Sequence, residues 1–356
     1  MKKNICFIVP AYNESSAIKS CLEGLKKAGV DWNDVYIVDD GSKDNTYQHI
    51  EEVRFPLQNV LVMKKNSGKA KAIAAAFNHF GLQKKYEWLN FMDADSIVDA
   101  KYYSRAKKLT DQADVDTMAF CSHVQTQEGV YNIPTAYRVY EYFISHWVYK
   151  EAQTRLGVLT VLPGCGSCYR TEMLDMHFSK DEEHTLVEDM DWTILTHLSG
   201  KGKIVYDRNL VVYTQDPGTV GAYVRQIDRW QRGCWQVFLK RDMHQVWHKP
   251  IKAELAFLLL EGLVFSAVTV AVSIYALAMR SGQYAIGYLL LDGAAFILAN
   301  VIAAIVERDI RPIVFLPTSY MLRFINCVVF LKGFIQIVIL RIDKKTKLSW
   351  NKVARY

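Results

Sequence analysis

From Gly262 to Met279 the chain runs for 18 residues without a charge, and its apolar character reaches back past Glu261 to Leu255. A helix packed on a soluble core keeps a polar face, so a helix apolar all round for this length is a candidate membrane span. A second such run, 283–306, encloses Asp292 and follows the short link RSGQ (280–283), which has room only for a tight hairpin. A carboxylate at membrane depth is costly and requires a protein, water or substrate partner. The third stretch, 312–340, is interrupted by Arg323 and Lys332, has Pro312 and Pro317 near its start, and closes on RIDKKTK (341–347). The positive-inside tendency places that basic tail on the cytoplasmic side with the N-terminal region, which requires an even number of crossings. The expectation is a multi-pass membrane protein with a cytoplasmic first domain. In it, 312–340 holds an interfacial helix and a short re-entrant or crossing pair.

Positions 1–250 have a different character. Of all 356 residues 51% are apolar, but the excess sits in the last third, and the first 250 read as a soluble α/β protein. The formal net charge is +6, with basic residues gathered at 225–252 and after 340, a distribution suited to an anionic bilayer surface. Seven scattered cysteines, Cys6 among them in an expected buried strand, fit a reducing compartment better than a disulfide framework. No signal peptide is expected, because Met1 to Asn4 lead directly into a strand.

Short apolar runs end in polar residues at regular intervals. ICFIVP (5–10) precedes AYNES and a helical pattern with Ile18, Cys21, Leu22 and Leu25 on one face; VYIVDDGS (35–42) ends at Asp39 and Asp40; NVLVMKK (59–65) leads through NSGKA to an alanine-rich helix over 66–80. Strand, helix, strand with polar carboxyl ends describes an α/β fold around a mostly parallel sheet, in which ligands collect beyond the strand ends. NSGKA lacks the GxxxxGK of a phosphate loop. Its Lys69 and Lys71 either meet an anion at a helix start or form a solvated face with Lys64 and Lys65.

The fourth strand, within WLNFMDADSIV (88–98), ends at Asp93 and Asp95. Two carboxylates at i and i+2 either stop the strand as turn residues or turn together toward a cation. Oxygen-only ligation of that kind suits Mg²⁺ or Mn²⁺ held partly by substrate phosphates. Further on come a helix at 100–109, a strand at 115–124 and a long aromatic helix over 136–155. VLTVLPGCGSCYR (158–170) reads as a strand and a glycine turn, with Gly164 and Gly166 allowing close backbone approach. The helix 184–198 starts in an acidic cluster of Glu188, Asp189 and Asp191, followed by a strand or hairpin over 203–214. The helix 223–241 carries Arg225, Arg229, Arg232, Trp230 and Trp235, which indicates a membrane interface or phosphate site in preference to nucleic-acid stacking.

The series IVPAYNE (8–14), VDDGSKDNT (38–46), NSGKA (66–70), MDADS (92–96), LPGCGSCYR (162–170), VEDMD (187–191) and QIDRW (226–230) resembles, in order and spacing, family 2 glycosyltransferases of GT-A fold. The Q-x-x-R-W pattern is similar to that of membrane synthases of β-linked polysaccharides. QIDRWQRGCWQVFLK resembles poly-N-acetylglucosamine synthases, and EYFISHW with LPGCGSCYR resembles chitin synthases. The resemblance implies a GT-A domain over 1–222, interfacial amphipathic helices over 223–252, a membrane region over 253–342 (about 255–279, 283–306 and 312–340), and a basic tail over 343–356.

It implies an inverting β-glycosyltransferase using Mg²⁺ or Mn²⁺ and a UDP-sugar, with UDP-N-acetylglucosamine favoured over UDP-glucose. Ala11, Asn13, Glu14 and Asp40 would hold uracil and ribose, with Lys69 near the nucleotide. Asp93 would face the sugar and diphosphate, Asp95 would bind the metal, and Asp189 would be the general base. Gly164, Cys165, Gly166, Ser167, Glu188 and Trp230 would line the acceptor site, and Gln226, Arg229 and Trp230 would clamp the diphosphate. Trp350 and Arg355 match the tails of such synthases more weakly. The acceptor would be a glycan or a lipid-linked group at the bilayer. Because the synthases usually carry helices before the catalytic domain, this chain is expected to make short chains, glycosylate a lipid once, or act with a membrane partner or as a homo-oligomer. An inactive nucleotide-binding scaffold is the remaining alternative.

Overall fold

The computed structural model describes residues 2–178, 185–241, 249–278 and 283–342, with the side chains at 176, 277, 284 and 285 left aside. Most of the link at 280–283, His184 and the tail with Trp350 and Arg355 lie outside those residues. The chain divides into two compact units. The first is Met1–Gln125, Lys150–His184 and Glu188–Gln215; the second is Thr126–Tyr149, Thr185–Val187 and Asp216–Tyr356.

The first unit is built on one eight-stranded sheet of β1 (Lys3–Ala11), β2 (Val35–Asp39), β3 (Val60–Val62), β4 (Tyr86–Phe91), β5 (Ser96–Val98), β6 (Thr117–Thr126), β7 (Ser167–Arg170) and β8 (Lys203–Thr214), ordered β3-β2-β1-β4-β7-β6-β8-β5. Neighbours from β3 to β4 pair in parallel, with Ala11 level with Asp39 and Ile8 with Phe91. That register brings the polar ends of β1, β2 and β4 to one edge. Beyond β4 the sheet turns antiparallel, Phe91 opposing Ser167. Strand β1 is buried almost throughout, as a strand covered on both faces must be. Ile73, Ala76 and Phe77 of the Lys69–His79 helix close one face over Cys6, Ile8, Val38 and Leu89.

Two expectations change here. Residues 158–163 form no strand, and the ladder is made after the glycine turn, at Ser167–Arg170. Pro163 ends the apolar run that suggested otherwise, and it has no N–H to donate to a ladder. The long aromatic helix is composite: α-helical over Ile133–Phe143, π-helical over Ile144–Lys150, and α-helical again over Glu151–Leu156.

The second unit contains the Val220–Lys240 helix and, among the described residues, three helical segments long and apolar enough to cross a membrane: Pro250–Ala276, Ile286–Val306 and Leu316–Ile339. The chain is a multi-pass membrane protein on this evidence. The third segment is continuously helical, α over Leu316–Phe334 and π over Ile335–Ile339, with no re-entrant turn inside it. Pro317 lies in the helix's first turn, where a missing N–H costs nothing. Both interrupting charges are answered, Arg323 by Asp292 and Lys332 by Asp228 at 2.7 Å.

The same helix runs alongside the polar Val220–Lys240 helix in the same direction. Asn326 meets Tyr223, Lys332 meets Asp228, Gly333 faces Gln231, and Phe330 and Phe334 flank Trp235. Carrying Arg225, Asp228, Arg229 and Arg232 into hydrocarbon would cost about 3 kcal/mol per charge, so over this length both helices belong at the membrane surface. The packing therefore predicts two crossings. Cysteines introduced as Lys2→Cys and Ile342→Cys should react with an impermeant maleimide from the same side of sealed vesicles; labelling from opposite sides would reject it.

Candidate active site

At the parallel edge the carboxylates are held before any ligand arrives. Asp39 Oδ1 accepts from the Ser42 amide at 2.8 Å, and Asp40 accepts from the Ser67 and Gly68 amides, both at 2.8 Å. Burial raises the Asp40 carboxyl above its ordinary range, and those two amides work against it. Gly41, at φ +74°, lets this turn pass the 64–66 segment, since a Cβ there would lie 2.8 Å from the Lys65 carbonyl carbon. Asn13 takes a left-handed conformation with φ 55°; its amide donates to Ser42 Oγ at 2.9 Å, and its Oδ1 accepts from the Lys43 amide at 2.8 Å. The Glu14 amide donates to Thr46 Oγ1 at 2.8 Å. Ala11, at the end of β1, accepts the Asp40 amide at 2.8 Å.

Asp40 thus shapes the turn that starts the next helix at Lys69, whose ammonium pairs with Asp93 and donates to the Gly164 carbonyl at 3.3 Å. Burial alone would lower the pKa of Lys69, but the charge of Asp93, with Glu188 and Asp189, more than reverses this and keeps it protonated. A Cβ on Gly164 would lie 2.6 Å from Lys69 Nζ and 3.8 Å from Asp189 Oδ2. Four sequence-selected residues, Lys69, Asp93, Gly164 and Asp189, therefore converge. Glu188 and Asp189 open the Glu188–Ser199 helix, where Asp189 Oδ1 accepts the Met190 amide at 2.8 Å.

Asp95 lies in the turn after β4 and is buried, with Ser96 Oγ donating to its Oδ1 at 3.1 Å. Among the described residues no three His, Cys, Asp or Glu side chains form a metal cluster of their own. Asp93 and Asp95 offer hard oxygen donors only, the set expected for Mg²⁺ or Mn²⁺ that completes its shell with phosphate and water. On donor chemistry the residues fit such an ion.

The glycine turn divides in its exposure. Gly164 is half-buried, but Ser167 is wholly buried in β7 with its Oγ accepting the Ser122 amide at 3.5 Å. Gly166, at φ +72°, donates its amide to the Phe91 carbonyl at 2.6 Å and lies against Val212. Cys165 and Cys168 stand at C-x-x-C spacing, a pairing that the reading of scattered cysteines passes over. Both are buried free thiols that burial pushes up to about 12, a setting that disfavours the reactive thiolate.

In the second unit the Q-x-x-R-W helix has two working faces. On one, Arg229 donates to the Leu186 carbonyl at 2.7 Å, Gln236 accepts the Leu186 amide at 3.1 Å, and Gly233 gives room to Val187, which a Cβ would approach to 2.7 Å. The segment held this way directly precedes Glu188 and Asp189 in the chain. On the other face Gln226 accepts from Arg138, whose guanidinium covers the Trp230 ring at 4.5 Å. Sequence reasoning missed Arg138. Its only signal is an arginine among aromatics with Glu141 three residues on, which is common on helices.

A mixed sheet whose parallel half ends in Asp-Asp and Asp-x-Asp, faced by an acidic helix start and followed by apolar helices, is a GT-A-like architecture. Residues 6–178 match the family described as "Glycosyl transferase family 2". Those residues, just under half of the chain, are similar to that family and to its polysaccharide synthases. The poly-beta-1,6-N-acetyl-D-glucosamine synthase of Staphylococcus aureus (strain COL) is 24% identical over 242 residues, 67% of this chain and 56% of that protein. The chain thus spans little more than half the length of that curated relative. Chitin synthase 5 of Cryptococcus neoformans is 33% identical over 104 residues, 29% of this chain and 5% of that one. The fold is shared with the mannosyltransferase PcManGT of Pyrobaculum calidifontis, solved with GDP-Man and Mn²⁺, at TM-score 0.66 and 16% identity over 96% of this chain and 88% of that one.

The turn geometry yields a stability prediction. Gly166→Ala places a Cβ 2.3 Å from Val212 Cγ2 and should destabilise the domain by about 2–4 kcal/mol. Gly129→Ala, also at positive φ but with nothing within 4 Å, should cost about 1 kcal/mol. Thermal unfolding of the two variants compares them, and equal shifts would contradict the packing argument.

Proposed function

We propose that the protein is an inverting, metal-dependent β-glycosyltransferase that transfers N-acetylglucosamine from UDP-N-acetylglucosamine to a hydroxyl of a growing glycan at the membrane, with its catalytic domain cytoplasmic. The observation that carries this reading is the meeting of Lys69, Asp93, Gly164 and Asp189 at the carboxyl edge of the parallel strands. That meeting supplies a fixed positive charge, a carboxylate for the donor side, a glycine that leaves room for the ammonium, and a second carboxylate beside it. The S. aureus relative, a synthase of poly-N-acetylglucosamine, supports the choice of sugar.

In this reading Asp189 accepts the proton of the acceptor hydroxyl as its oxygen bonds to C1 of the sugar. The bond from C1 to the β-phosphate oxygen breaks and its electron pair leaves with UDP. Attack from the face opposite the leaving group converts an α-linked donor into a β-linked product. Lys69 holds developing negative charge, and Trp230 is assigned to the acceptor end. Asp95, beside Asp93, would hold Mg²⁺ or Mn²⁺, which when bound neutralises the departing diphosphate. Ala11, Asn13, Glu14 and the turn organised by Asp40 hold the nucleoside.

UDP release should occur with UDP-N-acetylglucosamine in preference to UDP-glucose, and chelation with EDTA should abolish it. No release with any UDP-sugar would reject the enzyme reading in favour of a binding scaffold. Product sizing separates polymer synthesis from single transfer. Asp189→Asn should retain UDP binding and lose about 10²–10⁴-fold in transfer; a normal rate would remove Asp189 from the base role. Asp95→Ala should weaken Mn²⁺-dependent UDP binding, and unchanged affinity would remove it from the metal site.

A further inference from the structure

Arg138 is 2% exposed, and burying a guanidinium costs several kcal/mol unless its charge and donors are answered. Its charge is answered locally. Nη1 donates to Glu141 at 2.7 Å, and Nε lies 3.7 Å from Asp216, whose Oδ1 also accepts from the Tyr142 hydroxyl at 3.0 Å. Those two carboxylates balance the charge of a purely structural arginine, although Nε makes no hydrogen bond among the described residues. This one does more: Nη2 donates to Gln226 Oε1, and its planar face lies over Trp230 at 4.5 Å and Tyr223 at 4.7 Å. Gln226 and Trp230 are the first and last residues of Q-x-x-R-W and, four apart, occupy one helix face. Arg229 points elsewhere, to the Leu186 carbonyl.

The orientation of Arg138 is itself fixed from the apolar helix. Glu141 Oε1 accepts from the Tyr223 hydroxyl and from Asn326 Nδ2, each at 2.9 Å, and Asn326 belongs to the Leu316–Phe334 helix. A chain of polar contacts therefore runs from that helix through Glu141 and Arg138 to the indole of Trp230.

We propose that Arg138 is a positioning residue that sets the rotamers of Gln226 and Trp230, so that the Trp230 ring meets the acceptor sugar at one fixed angle. The proposal rests on the assignment of Trp230 to the acceptor end. Lysine keeps the charge at 138, but it lacks the planar fork that reaches Glu141 and Gln226 together and the flat face that lies on an indole.

The test uses the full chain in lipid nanodiscs with UDP-N-acetylglucosamine, measuring UDP release, UDP affinity in Mn²⁺ and thermal unfolding. Arg138→Lys should unfold near the wild-type temperature, bind UDP within about twofold of wild type, and turn over about tenfold more slowly, the size of one desolvated cation–π contact. Trp230→Ala should be impaired, and the double variant should be no slower than Trp230→Ala alone, because Arg138 acts through that ring. Wild-type turnover in Arg138→Lys, UDP affinity falling in step with turnover, or additive losses in the double variant would each overturn the proposal while leaving the role of Trp230 intact. Normal turnover in Trp230→Ala would overturn both. Should Arg138→Lys not fold, Asn326→Leu, which removes one of the two donors to Glu141 Oε1 without touching the guanidinium, should show the same pattern at about threefold; wild-type turnover there would overturn the proposal.

Discussion

Three carboxylates, Asp93, Glu188 and Asp189, hold the proton on one lysine, Lys69, and the candidate site depends on that imbalance. Like charges brought together by a fold repel unless something answers them, and Lys69 does so for Asp93 directly. Its place follows from events earlier in the chain. Asp40 draws in the Ser67 and Gly68 amides, Gly68 turns at φ +90°, and the helix that begins at Lys69 delivers the ammonium to Asp93 and Gly164. A buried carboxylate at the end of one strand therefore fixes a cation that serves the end of another. The net negative charge that remains at this edge attracts cations.

The parallel half of the sheet was legible because each strand is an apolar run stopped by polar residues, and burial on both faces imposes that pattern on β1 and β2. Asp93, Lys69, Gly164 and Asp189 were legible because each sits in a motif at a strand end or helix start. Other features were not. Strand β5 has three residues and pairs with β8 more than a hundred positions away, and a run of that length carries no period. The π-helical turns at 144–150 leave the aromatic pattern looking like one helix. Arg138 has its meaning only through Gln226 and Trp230, far along the chain, and no local spacing encodes that.

The apolar third shows how composition and packing answer different questions. Length and hydropathy describe three equivalent helices, but Leu316–Ile339 differs from the other two in its neighbours. Asn326, Lys332 and Gly333 bind it to a helix carrying four charges within eight residues, 225–232. Asp292, an isolated carboxylate in the sequence, has Arg323 and the Tyr320 hydroxyl as partners, so its membrane depth is supported by the same helix. The third helix therefore serves as a joint between the bilayer and the polar machinery.

The grip of the Val220–Lys240 helix on Leu186 and Val187 has an evolutionary consequence. Arg229 and Gln236 hold the two ends of one peptide residue, and Gly233 between them leaves only enough room for Val187. Positions 229, 233 and 236 lie on one helix face, so they cannot drift independently. A larger residue at 233 would require a smaller one at 187, and loss of either hydrogen-bonding side chain would loosen the peptide just ahead of Asp189. Among homologues these four positions should therefore change as a set, even though Asp189 is not among them.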